Sequence, residues 1–115
     1  MTPGKYNILC PQGTTLIKRM TYSIDDLPVD LTGFTARMQV RETYNADNFI
    51  LELTTENGGI VLGDANGTIE ITISHATTSL IRPKEYVYDL EIVSPLDVVL
   101  RLIEGRFIVT PEVTR

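Results

Sequence analysis

The C-terminal third of the chain, EYVYDLEIVSPLDVVLRLIEGRFIVTPEVTR (residues 85–115), has the most regular apolar pattern in the sequence. Every second side chain from Tyr86 to Ile92 is apolar, and successive side chains of a β-strand point to opposite faces. The pattern resumes after Ser94-Pro95-Leu96-Asp97, where Pro95 occupies the second position of a four-residue turn and suits a type I turn. The stretch therefore predicts a hairpin of two long strands.

Both faces of this predicted hairpin carry apolar residues. The inner face comprises Tyr86, Tyr88, Leu90, Ile92, Val98, Leu100 and Leu102. The opposite face also has apolar residues, which a sheet solvated on one side would not need, so either a loop of the same domain or another subunit covers it. Gly105 predicts a bulge or bend, beyond which FIVTPEV continues as an edge able to pair with a neighbour. The candidate assembly surface is Val87, Val93, Val99, Ile103, Phe107 and Val109.

Shorter alternating stretches occupy the rest of the chain and predict further strands. They lie at residues 16–24, 34–40, 49–53 and 69–73, and turn-forming residues at 56–59 and 63–67 separate some of them. One short helical turn is predicted near residues 75–81, capped by Ser74 and stopped by Pro83. The pattern predicts one all-β antiparallel sandwich of about 7–9 strands spanning residues 1–115. Residues 1–15 form either an N-terminal arm or the first strand.

Composition and charge argue against several classes of protein. A chain of 115 residues with 43% apolar and 22% charged residues is typical of one globular domain. Its formal charge of −5 and scattered basic residues argue against nucleic acid as a partner. Neither a membrane span nor a signal peptide is predicted, so we expect synthesis in the cytoplasm. Cys10 is the single cysteine, which excludes an internal disulfide and a thiolate metal cluster.

Few residues suggest catalysis or metal binding. His75 is the only histidine and lacks an accompanying nucleophile motif, so we interpret it as a surface or helix-start residue. Residues 64–67 (DANG) resemble the start of a calcium loop but lack its later ligands, and Asn-Gly favours a hairpin turn. The acidic cluster of Asp25, Asp26 and Asp30 lies in a proline-containing loop, where a solvated turn is the ordinary explanation. We therefore expect no enzyme activity, no cofactor and no metal.

The segment IEITISHATTSLIRPKEYVYDLEI (residues 69–92) is similar to the approach to the tyrosine corner of immunoglobulin-like sandwiches. Tyr86 corresponds to the corner tyrosine, and Tyr88 occupies the position of a cysteine that forms the disulfide in antibody domains. The chain has no tryptophan and no second cysteine, so the resemblance extends to the sandwich topology and not to a disulfide-pinned antibody domain. The predicted fold class is accordingly an immunoglobulin-like antiparallel β-sandwich.

Five segments together carry a wider resemblance: VDLTGFTARMQVRE, ILELTTENGGIVL, GTIEITISHATTSLI, YVYDLEIVSP and VVLRLIEGRFIVTPEVTR. From about Gly13 onward the chain resembles the small immunoglobulin-like structural proteins of tailed bacteriophages. These include collar, neck and tail-fibre attachment proteins and the N-terminal domain of baseplate upper proteins. The resemblance implies a non-enzymatic virion protein, made in the bacterial cytoplasm, that forms a homo-oligomeric ring and attaches tail, connector or fibre proteins. It carries no catalytic residues.

A carbohydrate- or ligand-binding module on the same fold is the alternative. Loops at one end of a sandwich would then bind the ligand, and Tyr44 and Asp47 are the loop residues whose change would test it. Tryptophan is absent, and most tyrosines fall on predicted inner faces.

Overall fold

The fold was determined as a computed structural model that describes residues 3–115. Met1 and Thr2, the start of the predicted 1–15 segment, lie outside the described residues. The strands are β1 (Gly4–Lys5), β2 (Ile8–Pro11), β3 (Leu16–Thr21), β4 (Ser23–Ile24), β5 (Leu27–Pro28), β6 (Thr35–Arg41), β7 (Leu51–Thr54), β8 (Ile60–Leu62), β9 (Thr68–Ile73), β10 (Glu85–Val93) and β11 (Val99–Thr110). Within the described chain, eight of these strands have three or more residues, which agrees with the predicted 7–9.

Two sheets form the sandwich. The larger has the order β1-β11-β10-β6-β7, with β2 also pairing with β11, and the smaller has the order β3-β9-β8. Strands β4 and β5 form a separate hairpin. All pairings in the larger sheet are antiparallel except those of β1 and β2, which run parallel to β11. The predicted all-β sandwich is confirmed, with its N-terminal strand pairing in parallel with the last strand.

Alternating side chains from both sheets fill the space between them. In β10 the four residues Tyr86, Tyr88, Leu90 and Ile92 are buried, as their spacing predicts. The other buried apolar residues are Ile8, Cys10, Leu16, Leu31, Ala36, Met38, Val40, Leu53, Ile60, Ile69, Ile71, Ile73, Ile81, Leu102, Phe107 and Val109. These residues form one core, so burying them stabilises both sheets together.

The side-chain alternation of β11 changes at Leu102, and this corrects the predicted faces. Leu90 pairs with Ile103 but Glu91 pairs with Arg101, so Leu102 is an extra residue in the strand. Such a bulge shifts the period-two alternation by one residue. Phe107 and Val109 consequently face the core, and they were wrongly assigned to the assembly surface. Val98, predicted on the inner face, is exposed.

The predicted free edge at Phe107–Thr110 is also wrong. Residues Glu85 and Tyr86 of β10 pair with Ile108 and Phe107, and β2 pairs with residues 107–110 on the other side. Residues 8–11 thus form a strand of the sheet, the second of the two alternatives for the N-terminal segment. The last strand is covered by the chain's own N-terminal strand and offers no edge there.

Gly105 is not the site of the bulge but of a close backbone approach. A Cβ atom at this position would lie 2.3 Å from the carbonyl oxygen of Tyr6. Tyr6 donates its amide to Glu104 O (3.0 Å), and its own carbonyl accepts the Tyr88 hydroxyl (2.5 Å). Gly105 therefore allows the backbone of Tyr6, which joins β1 to β2, to lie close against β11.

The predicted tyrosine corner is present at the start of β10. The buried Tyr86 donates its hydroxyl to the carbonyl oxygen of Arg82 at 2.5 Å, four residues upstream. The preceding helix α1 (His75–Thr78) is capped by Ser74, whose Oγ accepts from Thr77 N at 3.2 Å. Both features agree with the prediction for residues 74–86.

We expect Tyr86→Phe to lower the free energy of unfolding by about 1 to 2 kcal/mol, because it removes one buried hydrogen bond and leaves the ring in place. Urea unfolding followed by circular dichroism measures this change. Tyr44→Phe is the control, since Tyr44 is exposed, and we expect no change beyond about 0.5 kcal/mol. Equal stability of the two variants would contradict a stabilising role for the corner.

Candidate assembly surface

The outer face of the larger sheet is predominantly charged. Its outward side chains in β6, β10 and β11 include Arg37, Arg41, Asp89, Glu91, Arg101, Glu104 and Arg106. Val87, one of the predicted assembly residues, pairs with Arg41 and Arg106 on the neighbouring strands and is half-buried. A single valine among charges is not an apolar assembly patch.

Arg101 is at the centre of an ion-pair network on this face. Its guanidinium lies 3.4 Å from Asp89, 3.7 Å from Glu91 and 3.5 Å from Glu104. Arg37 extends the network to Glu91 at 2.9 Å, and Lys5 of β1 pairs with Glu104. Cross-strand pairs of opposite charge favour the observed register.

The protein environment shifts the pKa values of two carboxyl groups in this network in opposite directions. Partial burial raises the pKa of Asp89, although Arg101 opposes this effect. The hydrogen bond from Lys5 is the main cause that lowers the pKa of Glu104. Ionised Asp89 is therefore less favourable in the folded protein than in the unfolded chain, and ionised Glu104 is more favourable.

We expect Asp89→Asn to stabilise the fold slightly at pH 7. A carboxyl group whose folded pKa is raised binds its proton more tightly in the folded state, so its contribution to stability falls as pH rises through its unfolded and folded pKa values. The gain is at most about 0.5 kcal/mol, because the side chain is 40% exposed and solvent screens it. This stability gain disappears at pH values below about 3.9, the pKa of an aspartate in an unfolded chain.

Urea midpoints at pH 7 and pH 3 measure this difference. Glu104→Gln is the control with the opposite expected sign. Because the pKa of Glu104 is lowered in the folded protein, this residue contributes stability at neutral pH that is lost in acid. We expect Glu104→Gln to destabilise at pH 7. Destabilisation by Asp89→Asn at pH 7 would show that the pairing with Arg101 outweighs the cost of burial.

The six predicted assembly residues do not form one surface. Phe107 and Val109 are in the core, and Val87 is isolated among charges. Ile103 faces inward beside Tyr6 and Met20 at the open side between β11 and β3. Only Val93 and Val99 lie together, since they are cross-strand partners at the end of the hairpin. This pair borders a group of loops that the sequence did not identify as a surface.

Three loops meet at this end of the sandwich, and together they are called the loop end: residues 22–34, 63–67 and 94–98. Tyr22 N donates to Gly67 O (2.8 Å), and Leu31 N donates to Asp64 O (2.8 Å). A Cβ on Gly33 would lie 3.0 Å from Pro95, so the first and third loops also approach each other. The three loops therefore form one continuous surface.

Tight turns expose the apolar side chains of the loop end. The hairpin of β4 and β5 pairs Ile24 with Leu27 across Asp25 and Asp26, whose φ values of 53° and 65° match a type I′ turn. In the third loop Asp97 N donates to Ser94 O (2.9 Å) and Asp97 has φ 67°, which agrees with the predicted type I turn. Leu27 is 70% exposed and Leu96 is 88% exposed. Ile24, Val98 and Val99 are also exposed.

The sequence contained one signal for this surface that was overlooked. Leu96 follows Pro95 at the tip of a turn, and Ile24 and Leu27 flank two aspartates. Large apolar residues in tight turns cannot reach a core, so they indicate an exposed apolar surface. Only the folded chain shows that these turns are adjacent.

A depression on the outer face of the larger sheet lies beside Tyr44. It has a volume of about 240 Å³, and Tyr44, Gln39, Arg41 and Asp89 are among the residues that line it. Tyr44 is exposed at its rim. Asp47, the other predicted ligand-binding residue, is exposed but does not line the depression.

The other candidate residues occupy ordinary structural positions. His75 is exposed at the start of α1, and Asp25 and Asp26 form the tip of a hairpin, the solvated turn that was expected. Residues 64–66 form a 3-10 turn that joins β8 and β9, which confirms the hairpin interpretation of this segment. Cys10 is buried, and burial raises the pKa of its thiol.

Searches of the described residues for two further features gave no candidates. Across residues 3–115, no group of three or more His, Cys, Asp or Glu side chains could hold a metal ion. No helix in this part of the chain is long and apolar enough to cross a membrane.

Comparison with known proteins gave no relatives. No protein-family model matches the chain, and no curated protein matches it.

Proposed function

We propose that this chain is a non-enzymatic structural protein of a tailed bacteriophage virion. In this role it is an adaptor in the neck or collar, the tail or the baseplate, and it attaches fibres or other tail components. The resemblance of the five sequence segments led to this proposal. The immunoglobulin-like sandwich with its tyrosine corner is the fold that the resemblance implies.

The observation that carries the proposal is the loop end. Its large apolar side chains are exposed on short, hydrogen-bonded turns and not enclosed in a pocket. Ile24, Leu27, Leu96 and Val98 lie in turns that converge, and the Val93–Val99 pair adjoins them. An exposed apolar surface of this kind suits binding to another protein better than binding a small molecule, which needs a concave site. An adaptor requires such a surface.

The proposal includes a homo-oligomeric ring of copies made in the bacterial cytoplasm. In a ring each copy meets its neighbour through two different patches. In the larger sheet β7 is one edge and β1 with β2 is the other, and β3 and β8 are the edges of the smaller sheet. These edges, and not residues 107–110, have unpaired backbone groups available for a neighbour.

Mass spectrometry of purified virions and light scattering of the isolated protein test this function. We expect a constant copy number per particle, a ring-shaped density in electron-microscopy reconstructions and a discrete oligomer in solution. A strictly monomeric protein that is missing from purified virions would overturn the proposal.

The depression beside Tyr44 supports a second candidate function, a carbohydrate-binding module. An exposed aromatic ring next to Gln39, Arg41 and Asp89 combines the stacking and hydrogen-bonding groups that sugars use. On a glycan array, binding by the isolated protein that Tyr44→Ala abolishes and Asp47→Asn preserves would favour this function. An array without binding would exclude it for the sugars present.

A further inference from the structure

We infer that the loop end binds a different protein that presents basic residues around an apolar centre, and not a second copy of this chain. This inference deepens the proposed function, on which it rests, by naming the chemistry of the attached partner. The exposed apolar residues of the loop end supply the contact area. The charge around them identifies the partner.

All of the excess negative charge of the protein is at the loop end. Residues 22–34, 63–67 and 94–98 contain five aspartates and no lysine, arginine or histidine. The remaining ten acidic residues equal the ten basic ones, so the rest of the chain has no formal net charge. The five aspartates are Asp25, Asp26, Asp30, Asp64 and Asp97.

The turns themselves do not require these charges. Asp25, Asp26, Asp64 and Asp97 are the only non-glycine residues with positive φ among residues 3–115. Asparagine and glycine adopt this conformation at least as readily as aspartate. Aspartate at all four positions therefore adds negative charge without a conformational reason. The fifth, Asp30, accepts from the amide and hydroxyl of Thr32, which lowers its pKa and keeps it ionised.

Charge also excludes the competing partners. Nucleic acids and anionic membranes are repelled by five aspartates. Two loop ends of this chain would repel each other for the same reason. Seven of the ten basic residues form ion pairs within residues 3–115, among them Arg37, Arg101 and Arg106 on the outer face of the larger sheet. A second copy of this chain therefore has most of its basic side chains occupied by its own carboxylates, whereas a basic protein surface complements both the charge and the apolar side chains of the loop end.

Photo-crosslinking tests which molecule covers the loop end. The photoreactive amino acid p-benzoylphenylalanine replaces Leu27 or Leu96 in the protein made in phage-infected cells. The controls carry it in place of Leu80 or Val113, which are exposed apolar residues outside the loop end and outside the strands of both sheets. Mass spectrometry identifies the crosslinked peptides in the cells and in purified virions.

We expect the two loop-end positions to crosslink to another protein at a segment of net positive charge, with at least five-fold higher yield than the controls. Crosslinks from the loop-end positions to a second copy of this chain, crosslinks to an acidic segment or equal yield from Leu80 would overturn the inference. A basic partner found in cells while the protein is absent from virions would uphold the inference and overturn the virion function. Presence in virions without a loop-end crosslink would do the reverse.

Matched charge variants provide the second test. Asp26→Asn combined with Asp97→Asn removes two charges and retains residues that tolerate positive φ. Asp47→Asn combined with Glu112→Gln removes two charges outside the loop end. We expect the first pair to reduce the loop-end crosslink about four-fold at low salt, roughly two-fold for each exposed charge pair, and the second pair to leave it unchanged. An equal reduction by both pairs would overturn the inference.

Variants that lose apolar side chains separate the contribution of apolar contact area to binding from the contribution of charge. Leu27→Ser combined with Leu96→Ser removes two side chains that the folded protein exposes, so we expect its thermal unfolding to match that of the unmodified chain. Crosslinking from a third position, Val98, is expected to fall on the order of ten-fold or more. The reason is that the complex would no longer bury the apolar area of the two leucine side chains. Undiminished crosslinking from Val98 in this folded variant would overturn the role of the apolar centre.

Discussion

Phe107→Ala is expected to lower the free energy of unfolding by about 3 to 5 kcal/mol, the usual cost of truncating a fully buried phenylalanine. Phe107 is 0% exposed and is among the largest fully buried side chains. It pairs with Tyr86 on one side and with Ile8 on the other, so its ring lies between the tyrosine corner and the N-terminal strand. The loss combines the lost burial with the cavity that remains.

Urea unfolding measures the effect, and Phe49→Ala is the matched control. Phe49 is 46% exposed, so the same truncation at that position is expected to cost less than about 1.5 kcal/mol. If Phe107→Ala fails to fold, Phe107→Leu retains most of the apolar volume and is expected to cost between these two values. Equal stability of Phe107→Ala and Phe49→Ala would contradict the burial of Phe107 and support its sequence-based assignment to the surface.

Gly105→Ala is expected to cost about 2 to 3 kcal/mol and to detach the N-terminal strand. The added Cβ would lie 2.3 Å from the Tyr6 carbonyl oxygen, a backbone atom that cannot rotate away. Moving Tyr6 breaks the hydrogen bond that its amide donates to Glu104 O and the one that its carbonyl accepts from the Tyr88 hydroxyl. Amide hydrogen exchange is therefore expected to increase across β1 and β2 before the rest of the sheet opens.

Gly4→Ala provides the control in the same pair of strands. A Cβ on Gly4 would meet Ile103 at 3.5 Å, an ordinary van der Waals contact. We expect its stability to remain within about 0.5 kcal/mol of the parent and its exchange pattern to be unchanged. Unchanged exchange of β1 and β2 in Gly105→Ala would mean that the close approach of Tyr6 to β11 does not depend on this glycine.

The candidate site was only partly predictable. The Val93–Val99 pair was predicted on the outer face and lies there. Phe107, Val109 and Ile103 were assigned to the wrong face, because one extra residue at Leu102 reverses the alternation and no local signal marked it. The bulge was predicted at Gly105, because a glycine in a strand indicates either a bulge or a close backbone approach. Only the position of Tyr6 in the folded chain shows that Gly105 is a close approach.

The loop end was not predicted at all, although each of its turns was. Residues 94–97 were expected to form a type I turn, residues 63–67 a hairpin turn and residues 27–33 a loop. Their adjacency depends on hydrogen bonds such as Tyr22 to Gly67 and Leu31 to Asp64, which join residues more than 30 positions apart. Sequence patterns report neighbours along the chain and not such contacts.

The sequence by itself determined most of the strands of the core, but not β2 or β8, together with the tyrosine corner at Tyr86 and the capped turn at Ser74. These features depend on side-chain period, φ preferences and hydrogen bonds within a few residues, so residues that are close in the sequence determine them. The tertiary structure alone decided that β2 covers the edge of β11, that Phe107 is buried and that three acidic turns form one surface. Each of these depends on which distant strand pairs with which and in what register, and pairing energy between distant segments has no local sequence signature.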